Sequence, residues 1–167
     1  MKSIAKIILG LDPGIADTGY GVIAVAGTKT TCLAYGSIKT KAGEELIVRL
    51  DILNRELAKI IGKYRPDLAA IEELFFNKNV RTALIVGQAR GVALLTLRQN
   101  KVPMVEFTPS QVKQAVTAYG QATKIQVQKM VKLILNLRVL PQPDDAADAL
   151  AIALCALNSP LCPRNSR

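Results

Sequence analysis

The sequence predicts an α/β fold, a mixed five-stranded sheet flanked by helices, and three observations carry that prediction. Two long β-prone segments, residues 18–26 and 30–40, are joined through Gly27-Thr28-Lys29. Three short apolar runs, residues 7–11, 67–71 and 102–107, are separated by that pair and by stretches of helical spacing. The final stretch, 144–157, is apolar on all sides after its opening, as a buried helix would be.

Taken in order, Ile7-Ile8-Leu9-Gly10-Leu11 reads as a buried strand stopped by the turn Asp12-Pro13-Gly14. The two β-prone segments form a hairpin. Residues 44–64 put Leu46, Leu50, Leu53, Leu57, Ile60 and Ile61 on one helical face and stop at Arg65-Pro66. The second buried strand ends at Glu72-Glu73. A long helix over 79–100 carries Gly87 and Gly91. Such glycines cost about 1 kcal/mol each against alanine, which implies close backbone approach at a dimer interface or in internal packing. After the third strand come helices over 110–118, opened by Pro109-Ser110, and over 124–137. Pro141 and Pro143 break the chain before the last helix. The expected organisation is one domain, 1–158, and a short polar tail, 159–167, with no repeat.

Charge narrows the function. The 167 residues carry a net charge of +9, and residues 74–143 hold ten basic side chains against the single acid Glu106. A solvated basic face is the plain reading, and one-sided clustering in one domain favours a nucleic-acid partner. The chain has no histidine, so histidine-based acid–base, nucleophilic and metal chemistry are excluded within it. Cys32, Cys155 and Cys162 are odd in number and form no Cys-x-x-Cys pair, which argues against zinc and for a reducing cytoplasm. No apolar run approaches 18 residues, and the first six residues do not build a secretory signal.

The carboxylates suggest the chemistry. Asp12 and Glu72 each follow a buried strand, and parallel neighbours would bring both out at one sheet edge, where ligands favour the carboxyl ends. Asp-Pro-Gly is also a good turn on its own account. In the last helix Asp144 reads as an N-cap after Pro143, whereas Asp145 and Asp148, three apart, share one face. Asp148 lies too far in for capping, and a buried carboxylate needs a cation, either a metal or a structural lysine or arginine. Four converging acids without histidine suit Mg²⁺ or Mn²⁺. Two such ions about 4 Å apart serve phosphodiester hydrolysis, one activating water and one stabilising the leaving 3′ oxygen. Phe75 and Phe76 follow Glu72 directly. One reads as core, and the other is suited to stack on an unpaired base.

Six ordered segments resemble the RuvC-type Holliday-junction resolvases of bacteria. They are Ile8-Leu9-Gly10-Leu11-Asp12-Pro13-Gly14, Thr18-Gly19-Tyr20-Gly21-Val22-Ile23, Ala70-Ile71-Glu72, Gly87-Gln88-Ala89-Arg90-Gly91-Val92-Ala93, Gln111-Val112-Lys113-Gln114, and the run from Asp145 to Ala153. The resemblance implies an RNase H-like fold, a homodimer, and paired symmetrical nicks across a four-way DNA junction. It implies 5′-phosphate and 3′-hydroxyl ends and two divalent ions per site, Mg²⁺ with Mn²⁺ as substitute, held by Asp12, Glu72, Asp145 and Asp148. It assigns functional lysines to Lys113 and Lys124, a junction-probing aromatic to Phe75, and a RuvA–RuvB branch-migration complex as partner. Lys78 and Arg81, in the basic stretch beside Phe75, are the further expected DNA contacts. On residues alone, Lys113 and Lys124 could equally be solvated lysines. Rival readings are another RNase H-like nuclease or a junction-binding protein without activity. An actin-like kinase would need a second such domain.

Overall fold

The protein, a computed structural model, is described over residues 5–73 and 80–159. Strand β1 (Lys6–Asp12) is followed by β2 (Asp17–Ala26) and β3 (Lys29–Lys39). Helix α1 (Leu46–Tyr64), β4 (Leu68–Glu72), α2 (Val80–Gln99) and β5 (Met104–Phe107) come next. Helices α3 (Pro109–Thr117), α4 (Lys124–Ile134) and α5 (Asp144–Cys155) complete the fold, with a 3-10 turn at Ala156–Asn158. The strands form one mixed sheet in the order β3-β2-β1-β4-β5. The β2–β3 hairpin closes through two residues, Ala26 pairing Lys29, with Gly27 at φ +62°. A positive φ in a tight hairpin matches the strand twist and is easiest for glycine. Among the described residues no helix is long and apolar enough to cross a membrane.

Two apolar layers sandwich the sheet. Because side chains alternate along a strand, Leu9, Leu11, Ala69 and Ile71 face α1 and α2, packing with Leu53, Leu57 and Leu97. Ile8, Leu68 and Ala70 face the other way, into the cluster built by α5 with α3 and α4. The same alternation assigns Gly10 and Asp12 of β1, and Glu72 of β4, to the α5 face.

Helix α5 lies very close to that face. A Cβ at Gly10 would meet the Ala149 carbonyl oxygen at 2.0 Å, and one at Gly19 would meet that of Asp145 at 2.0 Å. At Gly21 it would meet the Leu150 backbone nitrogen at 2.8 Å. On the helix side Gly10 meets the alanines Ala149 and Ala153, and these are fully buried together with Ala146, Ala147 and Ala151. Small residues on both surfaces permit a helix–sheet separation that larger side chains would block.

Several element ends differ from those expected; the strand expected over 102–107, for one, begins at Met104. The expected helix from 44 begins at Leu46, with no side-chain cap at Glu45. The expected helix 124–137 stops at Ile134. Asn136 turns left-handed (φ 50°), and the Leu137 N–H donates to the Lys132 carbonyl at 2.9 Å, which satisfies a helix-end carbonyl and carries Leu137 back to the core. The last helix ends at Cys155 and tightens to the 3-10 turn. A Cβ at Gly91 would meet no other part of the described residues within 4 Å, so close internal packing does not account for this glycine.

Gly10→Ala should destabilise the chain by about 3 kcal/mol, the scale of forced overpacking, with a lower urea midpoint. Gly62→Ala, in open space on α1, should gain about 0.5–1 kcal/mol. Equal midpoints for the two variants would contradict the close helix–sheet contact.

Candidate metal and nucleic-acid site

Strand register brings the first two acids together. β1 and β4 run parallel with Leu11 opposite Ile71, so Asp12 and Glu72 leave neighbouring strands at the same edge and on the same face. Across the other side of β1, Asp12 pairs with Gly19, the residue on which the backbone of Asp145 rests. The close seat of α5 therefore delivers its first turn directly onto Asp12. Carboxylate oxygens of Asp12, Asp145 and Asp148 all lie within 4.8 Å of one another. Glu72 stands outside that closest trio but faces it, lining a cleft of about 280 Å³ with Asp148, Lys113 and Lys124. All four expected acids thus converge on one edge.

Two helix starts aim the lysines. Thr108 caps α3: its hydroxyl accepts from the Gln111 N–H at 3.2 Å, and the Gln111 side-chain oxygen accepts from the Thr108 N–H at 2.8 Å. Thr123 and Gln126 repeat this reciprocal arrangement at α4. Lys113 follows one turn into α3, and Lys124 is the first residue of α4. The Lys124 ammonium sits 3.0 Å from Asp148 Oδ2 and 3.5 Å from Asp144 Oδ2. A lysine partner for Asp148, one of the alternatives weighed above, is therefore present in this structure.

The electrostatics show how uncomfortable the bare cluster is. Burial first, then repulsion from Glu72, Asp148 and Asp145, pushes the Asp12 pKa up to about 7, against a smaller pull from Lys124. Glu72 is raised by burial and by Asp148, with Lys113 acting against this. Asp145 is raised by burial, then by Asp17, with Lys124 opposing. For Lys124, burial works against the ammonium, but the hydrogen bond and charge of Asp148, with those of Asp144, outweigh it and raise its pKa. Crowded, half-buried, all-oxygen ligands of this kind suit a hard divalent cation, whose charge removes the repulsion.

Some residues went unrecognised or were misread in the sequence. Asp144 is not the N-cap: Pro143 occupies that position, and Asp144 opens the helix with its side chain on Lys124 and Gln128. Arg90 of α2 donates to the Glu72 carbonyl at 3.4 Å and forms an ion pair with Glu106 of β5, tying the end of β4 to its neighbours. Asp17 has a buried carboxylate oxygen without a hydrogen-bond partner among the described residues. The Thr-x-x-Gln capping boxes were the available signal for α3 and α4; Asp17 carried none, and Arg90 stood only as one residue of a matching segment. Phe75 and Lys78 lie outside the described residues. Arg81 is on α2, and its side chain lies outside them too.

A mixed sheet with an acidic cluster at the ends of two parallel strands, closed by a buried helix and edged by lysines, defines a metal-dependent nuclease of RNase H-like fold. The sequence model for the family described as crossover junction endodeoxyribonuclease RuvC matches residues 8–156. The crossover junction endodeoxyribonuclease RuvC of Ruminiclostridium cellulolyticum is 55% identical over 153 residues, 92% of each chain. The solved structure of Thermus thermophilus RuvC in complex with a Holliday junction substrate superposes with a TM-score of 0.87 at 37% identity, covering 91% of this chain and 93% of that one. A yeast mitochondrial Holliday junction resolvase shares the fold at 16% identity, with a TM-score of 0.65 over 89% of this chain and 76% of its own. This chain belongs to the RuvC family.

Raised carboxylate pKa values fix a pH trend for the metal-free protein. Between roughly pH 4 and pH 7 the folded Asp12 keeps a proton that the unfolded chain has released, so stability falls as pH rises through that window. In chelator, the Tm should accordingly be lower near about pH 8 than near about pH 5, and Mg²⁺ should raise it more at the higher pH, because ions and protons compete for the same oxygens. Asp12→Asn should flatten both trends in a thermal scan. A wild-type pH slope in that variant would remove Asp12 from the cluster.

Proposed function

We propose that this protein is a divalent-metal-dependent endonuclease that resolves Holliday junctions in DNA recombination and repair, acting in the cytoplasm. It nicks opposing strands in pairs and leaves 5′-phosphate and 3′-hydroxyl ends. The observation that carries this reading is the convergence of Asp12, Glu72, Asp145 and Asp148 at one sheet edge beside Lys113 and Lys124, in a chain of the RuvC family.

Asp12, Glu72, Asp145 and Asp148 would hold two Mg²⁺ ions, with Mn²⁺ as substitute. Divalent ions bound there supply an activated water and offset the charge that builds on the leaving 3′ oxygen. The carboxylates themselves would repel a phosphodiester, so the lysines have a separate task. Lys113 and Lys124 face the same cleft as the acids and stabilise the phosphate as its charge grows. Phe75, with Lys78 and Arg81, follows Glu72 in the chain and is suited to contact an unpaired base at the crossover. The remaining cations, in a net charge of +9, attract the DNA backbone generally.

Two equivalent cuts in a substrate of two-fold symmetry call for two equivalent sites, and hence a homodimer. An exposed face of α2 suits this role: Leu84 (62% exposed) and Leu95 (57%) lie on it with Gly91 between them, seven residues from Leu84 and four from Leu95 in helical spacing. A RuvA–RuvB branch-migration complex is the proposed partner at the junction. Residues 1–158 form the nuclease domain in this reading, with 159–167 as its tail.

Cleavage of a labelled synthetic four-way junction, against duplex, single-stranded and hybrid competitors, tests the activity. Asp145→Asn and Glu72→Gln should lower cutting more than about a thousandfold and leave junction affinity largely intact, and Lys113→Ala should slow it about a hundredfold. Loss of binding together with cutting would make the acids structural. Preferred cutting of hybrids would move the protein to another RNase H-like activity, and binding without cutting in Mg²⁺ would make it an inactive junction binder. Leu95→Glu should shift the sedimenting species from dimer to monomer at micromolar concentration. An unchanged dimer would place the interface elsewhere.

A further inference from the structure

We infer that Asp144 and Gln128 are positioning residues for Lys124: Asp144 holds its ammonium at the cleft, and Gln128 holds Asp144. The inference rests on the proposed role of Lys124 in cleavage and goes one step beyond it. Lys124 Nζ lies between two carboxylates, 3.0 Å from Asp148 Oδ2 and 3.5 Å from Asp144 Oδ2. The second oxygen of Asp144 is also held, because Gln128 Nε2 donates to Asp144 Oδ1 at 3.0 Å. Lys124 and Gln128 are four residues apart on α4 and so share one face, which lets one helix hold both oxygens of one carboxylate. Gln128 is only 5% exposed. A buried amide must find a partner, and this one spends its donor on Asp144.

The two anions beside Lys124 are not equivalent. Asp148 belongs to the trio whose oxygens converge within 4.8 Å, and Asp144 does not. When Asp148 ligates a cation, its charge is committed, and the ammonium next to it loses attraction and gains a positive neighbour. Asp144 then remains as the carboxylate that keeps Lys124 in the cleft, with Gln128 preventing it from turning away. Without that grip, Lys124 would drift into solvent in the state in which it is needed. Asp144 would thus serve the site without touching metal or substrate.

The test compares the wild type, Asp144→Asn, Asp144→Glu and Lys124→Ala. Acylation of Lys124 by an amine-reactive ester, quantified by mass spectrometry against Lys129, is measured in the free protein with chelator and with Mg²⁺, so it does not depend on turnover. Single-turnover cutting and junction affinity are measured alongside. Wild-type Lys124 should stay protected in Mg²⁺, whereas in Asp144→Asn its labelling should rise about fivefold on adding Mg²⁺. The same variant should cut about tenfold more slowly with affinity changed less than about twofold, and Asp144→Glu should recover most of both effects. Asp144 is half exposed, and asparagine is accepted at helix starts, so Asp144→Asn should fold. Gln128→Met, which loosens the grip from the α4 side, should reproduce the labelling change in weaker form. Wild-type labelling and rate in Asp144→Asn, with Lys124→Ala defective, would overturn the grip alone. A Lys124→Ala protein that cuts at the wild-type rate would overturn the role of Lys124 on which it rests.

Discussion

The seat of α5 on the glycines of β1 and β2 is the constraint on which the rest of the structure depends. Gly10, Gly19 and Gly21 offer bare backbone where a Cβ would strike the helix at 2.0–2.8 Å. The facing alanines are fully buried, so the contact is tight on both sides. Small residues bury less apolar surface than leucines would, and the gain lies in geometry. With the helix this low, the first turn of α5 reaches the level of the strand ends, and Asp145 and Asp148 approach Asp12 within ligand-sharing distance. A larger residue at position 19 would push the helix away at the one rung where Asp12 is its cross-strand partner.

That close seat has an electrostatic cost which the sheet must bear. Three carboxylates share a small half-buried space, and Asp12 is driven to a pKa of about 7. The strands beneath are well placed to resist relaxation. β1 is bonded on both sides, antiparallel to β2 and parallel to β4, and its core residues Ile8, Leu9 and Leu11 are fully buried. Arg90, linked to the Glu72 carbonyl and to Glu106, fastens the end of β4 against β5. The repulsion is thus held in place and is available to favour any cation that binds between the acids.

Much of this could be read from the residues because the signals were local. Apolar runs ended by Asp12 and Glu72 marked strand ends, and the parallel β1–β4 pairing put both acids on one edge as expected. The alanine-rich helix announced close packing, but not its target, since the glycines opposite are spread over two strands and the contacting pair Gly10 and Ala149 lies 139 residues apart in the chain. Asp144 looked like a cap because it follows Pro143, and its real partners, Lys124 and Gln128, come from another helix. Leu137 continued the helical period of α4, yet a left-handed Asn136 ends that helix early and sends Leu137 to the core by another route. Long-range side-chain pairs and backbone terminations are what a periodicity cannot show.

The position of Lys124 completes the account of the site. It is the first residue of α4, and the first turn of that helix holds no acid. A positive charge there opposes the helix dipole, which favours anions at the N-terminus and cations at the C-terminus. Helix stability alone would select the opposite charge. The capping box of Thr123 and Gln126 secures the helix start by hydrogen bonds instead, and Asp148 and Asp144 supply the negative charge from α5. The ammonium is thereby kept where the helix least favours it and where the proposed reaction needs it, at the mouth of a carboxylate cluster that must receive a phosphate.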